Sequence, residues 1–156
     1  MTTLRKAAGA MLVSALIISS AAIADGRPSY HVTITNLTNA VSFTPILVSS
    51  QRRPVPIFEL GTPASDEITA IAEGGDTTLL EATLDADPHV VDVQDSGDLL
   101  LPGASVTVIV SASYGARYIS LASMMLPTND GFIGLDSVEA PKRGSLTYFS
   151  LGYDGG

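Results

Sequence analysis

Three aspartates in the C-terminal third sit where oxygen-ligand chemistry could be assembled. Asp130 stands in Pro127-Thr128-Asn129-Asp130-Gly131, between two apolar runs. Asp136 follows on the next run, and Asp154 lies in the closing Tyr153-Asp154-Gly155-Gly156. Hard cations such as calcium need several oxygens at once, and loops gathered at one end of a β-sandwich can converge carboxylates and backbone carbonyls on such an ion. The plainer reading of the same residues is turn formation, because Asn, Asp and Gly supply the positive-φ positions of a sharp turn.

The catalytic inventory is thin. The chain has no Cys and only two histidines, His31 at the start of a predicted strand and His89 in an acidic loop after Pro88. It has no Gly-x-Ser-x-Gly elbow, no paired-histidine zinc motif and no phosphate-cradling Gly loop. Both histidines read as structural or surface residues, and a hydrolase built around His89 is the enzymatic alternative. The pair Arg52-Arg53 can bind a carboxylate or an acidic polysaccharide, or simply occupy a solvated loop.

The N-terminus carries an address. Arg5 and Lys6 precede an apolar stretch from Ala7 to Ile18, and Ala22-Ile23-Ala24 offers the small-x-small pattern read by signal peptidase. The stretch falls short of the roughly 18–20 residues that span a bilayer. Residues 1–24 are therefore expected to be a cleaved signal peptide and residues 25–156 one domain. No further membrane span is expected after cleavage, and the destination is periplasmic or secreted. All 16 acidic residues lie beyond the leader with every basic residue except Arg5 and Lys6, a net charge of about −10. That surface disfavours nucleic acid as a partner. Without cysteine, stability has to come from an apolar core.

The elements that would position these residues are mostly β. Tyr30–Thr35 alternates and is β-branched, and Ser105–Ser111 alternates Val and Ile with Ser and Thr. Val41–Val48 reads as a strand that Pro45 assigns to an edge or a bulge. Ser65 can N-cap a short helix with Asp66 and Glu67 in its first turn and Gly74-Gly75 at its end. The stretch Thr77–Leu84 is ambiguous. Val90–Val93, Tyr118–Met125, Phe132–Leu135 and Leu146–Leu151 supply further strands, and Pro102-Gly103 supplies a turn. No repeat or linker divides the chain. The pattern predicts an antiparallel β-sandwich with one or two short helices.

Ser120-Leu121-Ala122-Ser123-Met124, followed by Pro127-Thr128-Asn129-Asp130-Gly131-Phe132-Ile133-Gly134, resembles the hallmark of the spondin N-terminal domain, especially its bacterial members. Ile71–Gly75, Leu101–Gly103 and Tyr30–Thr38 are similar to the same family. The resemblance implies a sandwich related to calcium-dependent membrane-binding domains. It also implies a calcium site made from the loop acid, here Asp130, and two acids of a closing Tyr-Asp-Ala-Gly-Thr-Asp/Glu motif. The first closing acid corresponds to Asp154; the second has no counterpart in the sequence, so that either the site is weakened, or Asp136 or the terminal carboxylate replaces the missing acid, or the chain ends early. The function implied is a non-catalytic, adhesion-type binding module for an extracellular protein or glycan, since animal members belong to extracellular-matrix proteins. A structural envelope subunit that associates through a strand edge is the alternative.

Overall fold

A computed structural model describes residues 14–20 and 27–156. In chain order the strands are β1 (Ser14–Ser20), β2 (Ser29–Asn36), β3 (Ser42–Phe43), β4 (Leu47–Gln51), β5 (Val90–Asp95), β6 (Ser105–Ser111), β7 (Tyr118–Leu126), β8 (Gly131–Glu139) and β9 (Ser145–Asp154). Helices α1 (Asp66–Gly74) and α2 (Thr78–Ala86) fall between β4 and β5. Every pairing is antiparallel, in the order β5-β4-β7-β8-β9-β1-β2-β6, with β3 attached to β7. The edges β5 and β6 meet where the Ser111 amide donates to the Asp92 carboxylate at 2.7 Å, so the sheet is nearly closed. This is the antiparallel, two-helix β architecture expected from the sequence.

Two strand chemistries follow from two environments. β2 and β6 alternate because one face packs inward while the other meets solvent. Their inward residues Val32, Ile34, Val108 and Val110 are buried. Their outer residues pair as hydroxyl rungs, Thr33 with Thr107 and Thr35 with Ser105, both at 2.8 Å. β4 and β7 are buried almost throughout, because the helices cover their second face. One apolar core, including Val48, Ile119, Leu121 and Ile133, fills the space between the sheet halves. A second lies under the helices, where Ile68, Ile71, Leu80 and Leu84 meet Leu47, Ala122 and Phe132.

Local chemistry sets the boundaries. The Ser65 hydroxyl accepts from the Ile68 amide at 3.4 Å, and Gly75 closes α1 at φ 66°, a left-handed conformation that glycine adopts without cost. The ambiguous stretch is helical. Thr77 gives it no side-chain cap; Asp76 instead accepts from the Thr78 amide at 2.9 Å. The expectation of an edge strand over Val41–Val48 is corrected. Pro45 falls in the break between β3 and β4, and β4 lies inside the sheet between β5 and β7. With no amide hydrogen, Pro45 interrupts the ladder instead of marking its rim.

One finding bears on the leader. Ser14–Ser20, which lies in the expected leader and overlaps the end of its apolar stretch, forms β1, paired on one side with β2 and on the other with β9. The basic residues Arg5 and Lys6 and the Ala22-Ile23-Ala24 cleavage pattern lie outside the described residues. Among the described residues no helix is long and apolar enough to cross a membrane.

Candidate functional site

The Ser120-x-x-Ser123 pair is buried in β7 and holds the end of the sandwich in shape. The Ser120 hydroxyl accepts from the Ser137 amide at 2.8 Å and from the Gln51 side-chain amide at 3.0 Å. It sits at the register shift between β7 and β8, opposite the stretch where Ser137 takes φ 50°. A buried amide left unpaired by the bulge is thus satisfied by a side chain. The Ser123 hydroxyl donates to the Thr44 carbonyl at 2.8 Å, and the Met124 amide donates to the Thr44 hydroxyl at 3.1 Å. These bonds tie β7 to the segment between β3 and β4.

The Phe132-Ile133-Gly134 part of the signature is also structural. Phe58, Phe132 and Tyr153 form a cluster with ring centroids 5.1–5.4 Å apart, Phe58 standing edge-on to Phe132. A side chain at Gly134 would place its Cβ 2.7 Å from the Phe58 ring, so only glycine allows that ring to lie on β8. Burial pushes the Tyr153 hydroxyl pKa above its ordinary value.

On this frame stand the aspartates. Asp130 precedes β8 and Asp154 ends β9, and the register Gly131↔Asp154 sets Asp154 opposite the residue that follows Asp130, at one end of the sheet. Both line one cleft of about 320 Å³ together with Met125, Thr128, Asn129 and Tyr153. The loop is fixed from within: the Thr128 amide donates to the Met125 carbonyl at 2.9 Å, and the Gly131 amide donates to the Thr128 hydroxyl at 3.0 Å. The Gly155 amide donates to the Asp130 carbonyl at 2.7 Å, and the Gly156 amide to the Asp154 carboxylate at 3.0 Å. The cleft therefore brings two carboxylates together beside Thr128, Asn129 and the thioether-bearing Met125.

Asp136 is placed elsewhere. It lines a separate cleft with Phe58, Leu60 and Val138. Its carboxylate accepts from the Ile57 amide at 3.1 Å and from the Ser137 hydroxyl at 3.2 Å. Burial raises its pKa above the usual carboxylate range, and these two hydrogen bonds oppose the rise. Among the described residues no three acidic, His or Cys side chains gather into a metal-holding group.

Of the remaining candidates, Arg52 is engaged in the scaffold. The Arg52 guanidinium donates to the Pro88 carbonyl and its amide to the His89 carbonyl at 2.8 Å, fastening the β4 exit to the α2–β5 loop. The His89 amide donates to the Asp87 carboxylate at 2.7 Å. His31 Nε2 is buried on β2 and has no hydrogen-bond partner among the described residues. Sequence reading missed Gln51, whose amide bridges Ser49 and Ser120. Gln51 ends β4 after Ser49 and Ser50, and a run of three polar residues gives no sign in the sequence that its members are buried.

The profile described as Spondin_N matches residues 29–146. The chain belongs to the spondin N-terminal domain family. This is a family of extracellular modules. The match includes Asp130 and Asp136, begins at the first residue of β2, and ends within β9 before Asp154. No curated protein matches the chain.

Proposed function

We propose that this spondin domain is an exported, non-catalytic binding module of adhesion type, with a weak calcium site in the cleft between Asp130 and Asp154. The observation that supports this reading is the placement of those two carboxylates on one cleft by the β8–β9 register. Neither residue alone would hold the ion. Calcium takes six to eight oxygens, so water and the ligand would complete the shell around Asp130, Asp154 and nearby hydroxyl and amide oxygens. Such a site suits the roughly 10⁻⁴–10⁻³ M affinities of extracellular modules, and export brings the domain to compartments where they are useful. An extracellular protein or glycan presenting its own oxygens is the partner this arrangement suits. Secreted or periplasmic placement follows from the leader.

Thermal melts of wild type, Asp130→Asn and Asp154→Asn in 10 mM calcium and in chelator test the reading. Calcium is expected to stabilise wild type by about 1.4–2.7 kcal/mol, from mass action at 10–100 times the dissociation constant. That is a rise of several degrees, which each variant should lose. Wild-type melting curves that coincide in calcium and chelator would end the proposal.

A further inference from the structure

β1 is bounded on both sides, from Ser14↔Asn36 to Ser20↔Tyr30 along β2 and from Ser14↔Ser150 to Ser19↔Ser145 along β9. Its inward side chains Leu16 and Ile18 are 1% and 0% exposed and complete the apolar layer beside Val32 and Ile34. Yet Ser14–Ser20 lies inside the segment marked for removal, and the family match starts only at residue 29. Cleavage after Ala24 would take this strand out of the sheet. β2 and β9 would then face one another across a gap one strand wide. Each would carry a row of unpaired backbone donors and acceptors above an apolar floor.

We infer that the processed protein is a strand acceptor, whose slot takes up an extended segment of a second, different polypeptide by β-augmentation. The slot defines what fits. Its floor holds two aliphatic side chains two residues apart, as Leu16 and Ile18 are held here. Ser14, also 1% exposed, lies opposite Asn36 and Ser150, so the next inward position has to be small. Residues 29–36 and 145–150, which flank the slot, contain no Asp, Glu, Lys or Arg, so a charged inward residue would be buried without a counter-ion. Outward positions are permissive, since Ile17 is 44% exposed. The donor is thus a neutral strand reading small-x-aliphatic-x-aliphatic. A second processed copy has lost this segment and uses its other strands in its own sheet, which points to a different polypeptide. The inference rests on the export reading but not on calcium.

The exported protein, recovered from medium or periplasm, provides the test. Its intact mass should begin at Asp25; retention of Ser14–Ser20 would overturn both the inference and the expected cleavage after Ala24. A synthetic Ser14–Ser20 peptide should bind the processed protein saturably and raise its melting temperature by several degrees. The same peptide carrying Leu16→Asp and Ile18→Asp should bind at least about tenfold more weakly. A processed protein that is folded but ignores the native peptide, or binds both equally, would show the slot closed by repacking and overturn the inference while export stands. A concentration-dependent homodimer with β2 and β9 amides protected would assign the slot to a second copy, which also overturns it. Should the processed protein precipitate, co-refolding with the native peptide is expected to yield a soluble one-to-one complex that the Asp peptide does not yield; recovery with neither overturns the inference.

Discussion

The two halves of β9 are one continuous strand held in two different ways. From Gly131↔Asp154 to Gly134↔Leu151 its C-terminal half pairs with β8, close to Phe58, Phe132 and Tyr153. From Ser145 to Ser150 it pairs with β1, a segment of the expected leader. The handover occurs at Ser150, whose hydroxyl donates to the Gly134 carbonyl at 2.9 Å and accepts from the Gly134 amide at 3.2 Å. One half is therefore secured by the domain's own residues, while the other depends on a strand that processing is expected to remove. Permanent anchorage lies at the carboxylate end and replaceable pairing at the opposite end.

Damage to the anchored half should be costliest. Phe132→Ala removes a fully buried ring from the layer beneath α1 and is expected to cost about 3–5 kcal/mol in urea unfolding. It should also abolish any calcium response, because the β8–β9 end would lose its support. A smaller break comes from Ser120→Ala, which leaves the Ser137 amide and one Gln51 contact without a partner. A loss of about 1–3 kcal/mol is expected, with Ser120→Thr retaining more stability than Ala if the hydroxyl is what matters.

Hydrogen exchange reads the comparison directly. In processed protein without added peptide, amides of residues 145–150 should exchange at least about tenfold faster than those of 151–154, a gap of about 1.4 kcal/mol in opening free energy. Equal protection across β9 would erase the distinction between the halves.

The smallest effect concerns Asp136, on the stretch of β8 beyond the β9 pairing. Its folded-state pKa is raised, chiefly by burial, so the folded state penalises the charged form. Wild type should lose stability as pH rises from the ordinary Asp value through the higher folded value. Asp136→Asn does not titrate and keeps an oxygen for the Ile57 amide. The variant should therefore gain on wild type toward neutral pH and lose that advantage in acid, as paired denaturation curves across this range would show.

Much of this arrangement was legible in the residues. β2 and β6 declared themselves by an alternation that only Ile109 breaks, because one of their faces is wet, and α1 by its Ser65 cap and Gly75 terminus. α2 was obscure because the capping carboxylate, Asp76, belongs to the turn before Thr77. β1 was hidden for a deeper reason. A short run of Ala, Leu, Ile and Ser meets the needs of a leader's apolar core and of a buried strand equally well. The grouping of Asp130 with Asp154 rested on the convergence of loops at one end of a sandwich and on the family resemblance, since strand register links residues that spacing leaves far apart. Asp136 was grouped with them by proximity along the chain. Six residues of extended strand span about 20 Å, which carries Asp136 to another cleft.

The position of β1 between β2 and β9 also has a consequence in time. Its two neighbours are made at opposite ends of synthesis, β2 almost at once and β9 last. If Ser14–Ser20 belongs to a leader, as the sequence leads one to expect, it would be held at the membrane during export, and a chain awaiting its final strand cannot finish this sheet. Whether Ser14–Ser20 ever lies beside Ser145–Ser150 thus becomes a race between peptidase and the arrival of β9. A peptidase that wins would deliver the domain with its slot open, as the strand-acceptor inference requires; one that loses would leave Ser14–Ser20 in place against it.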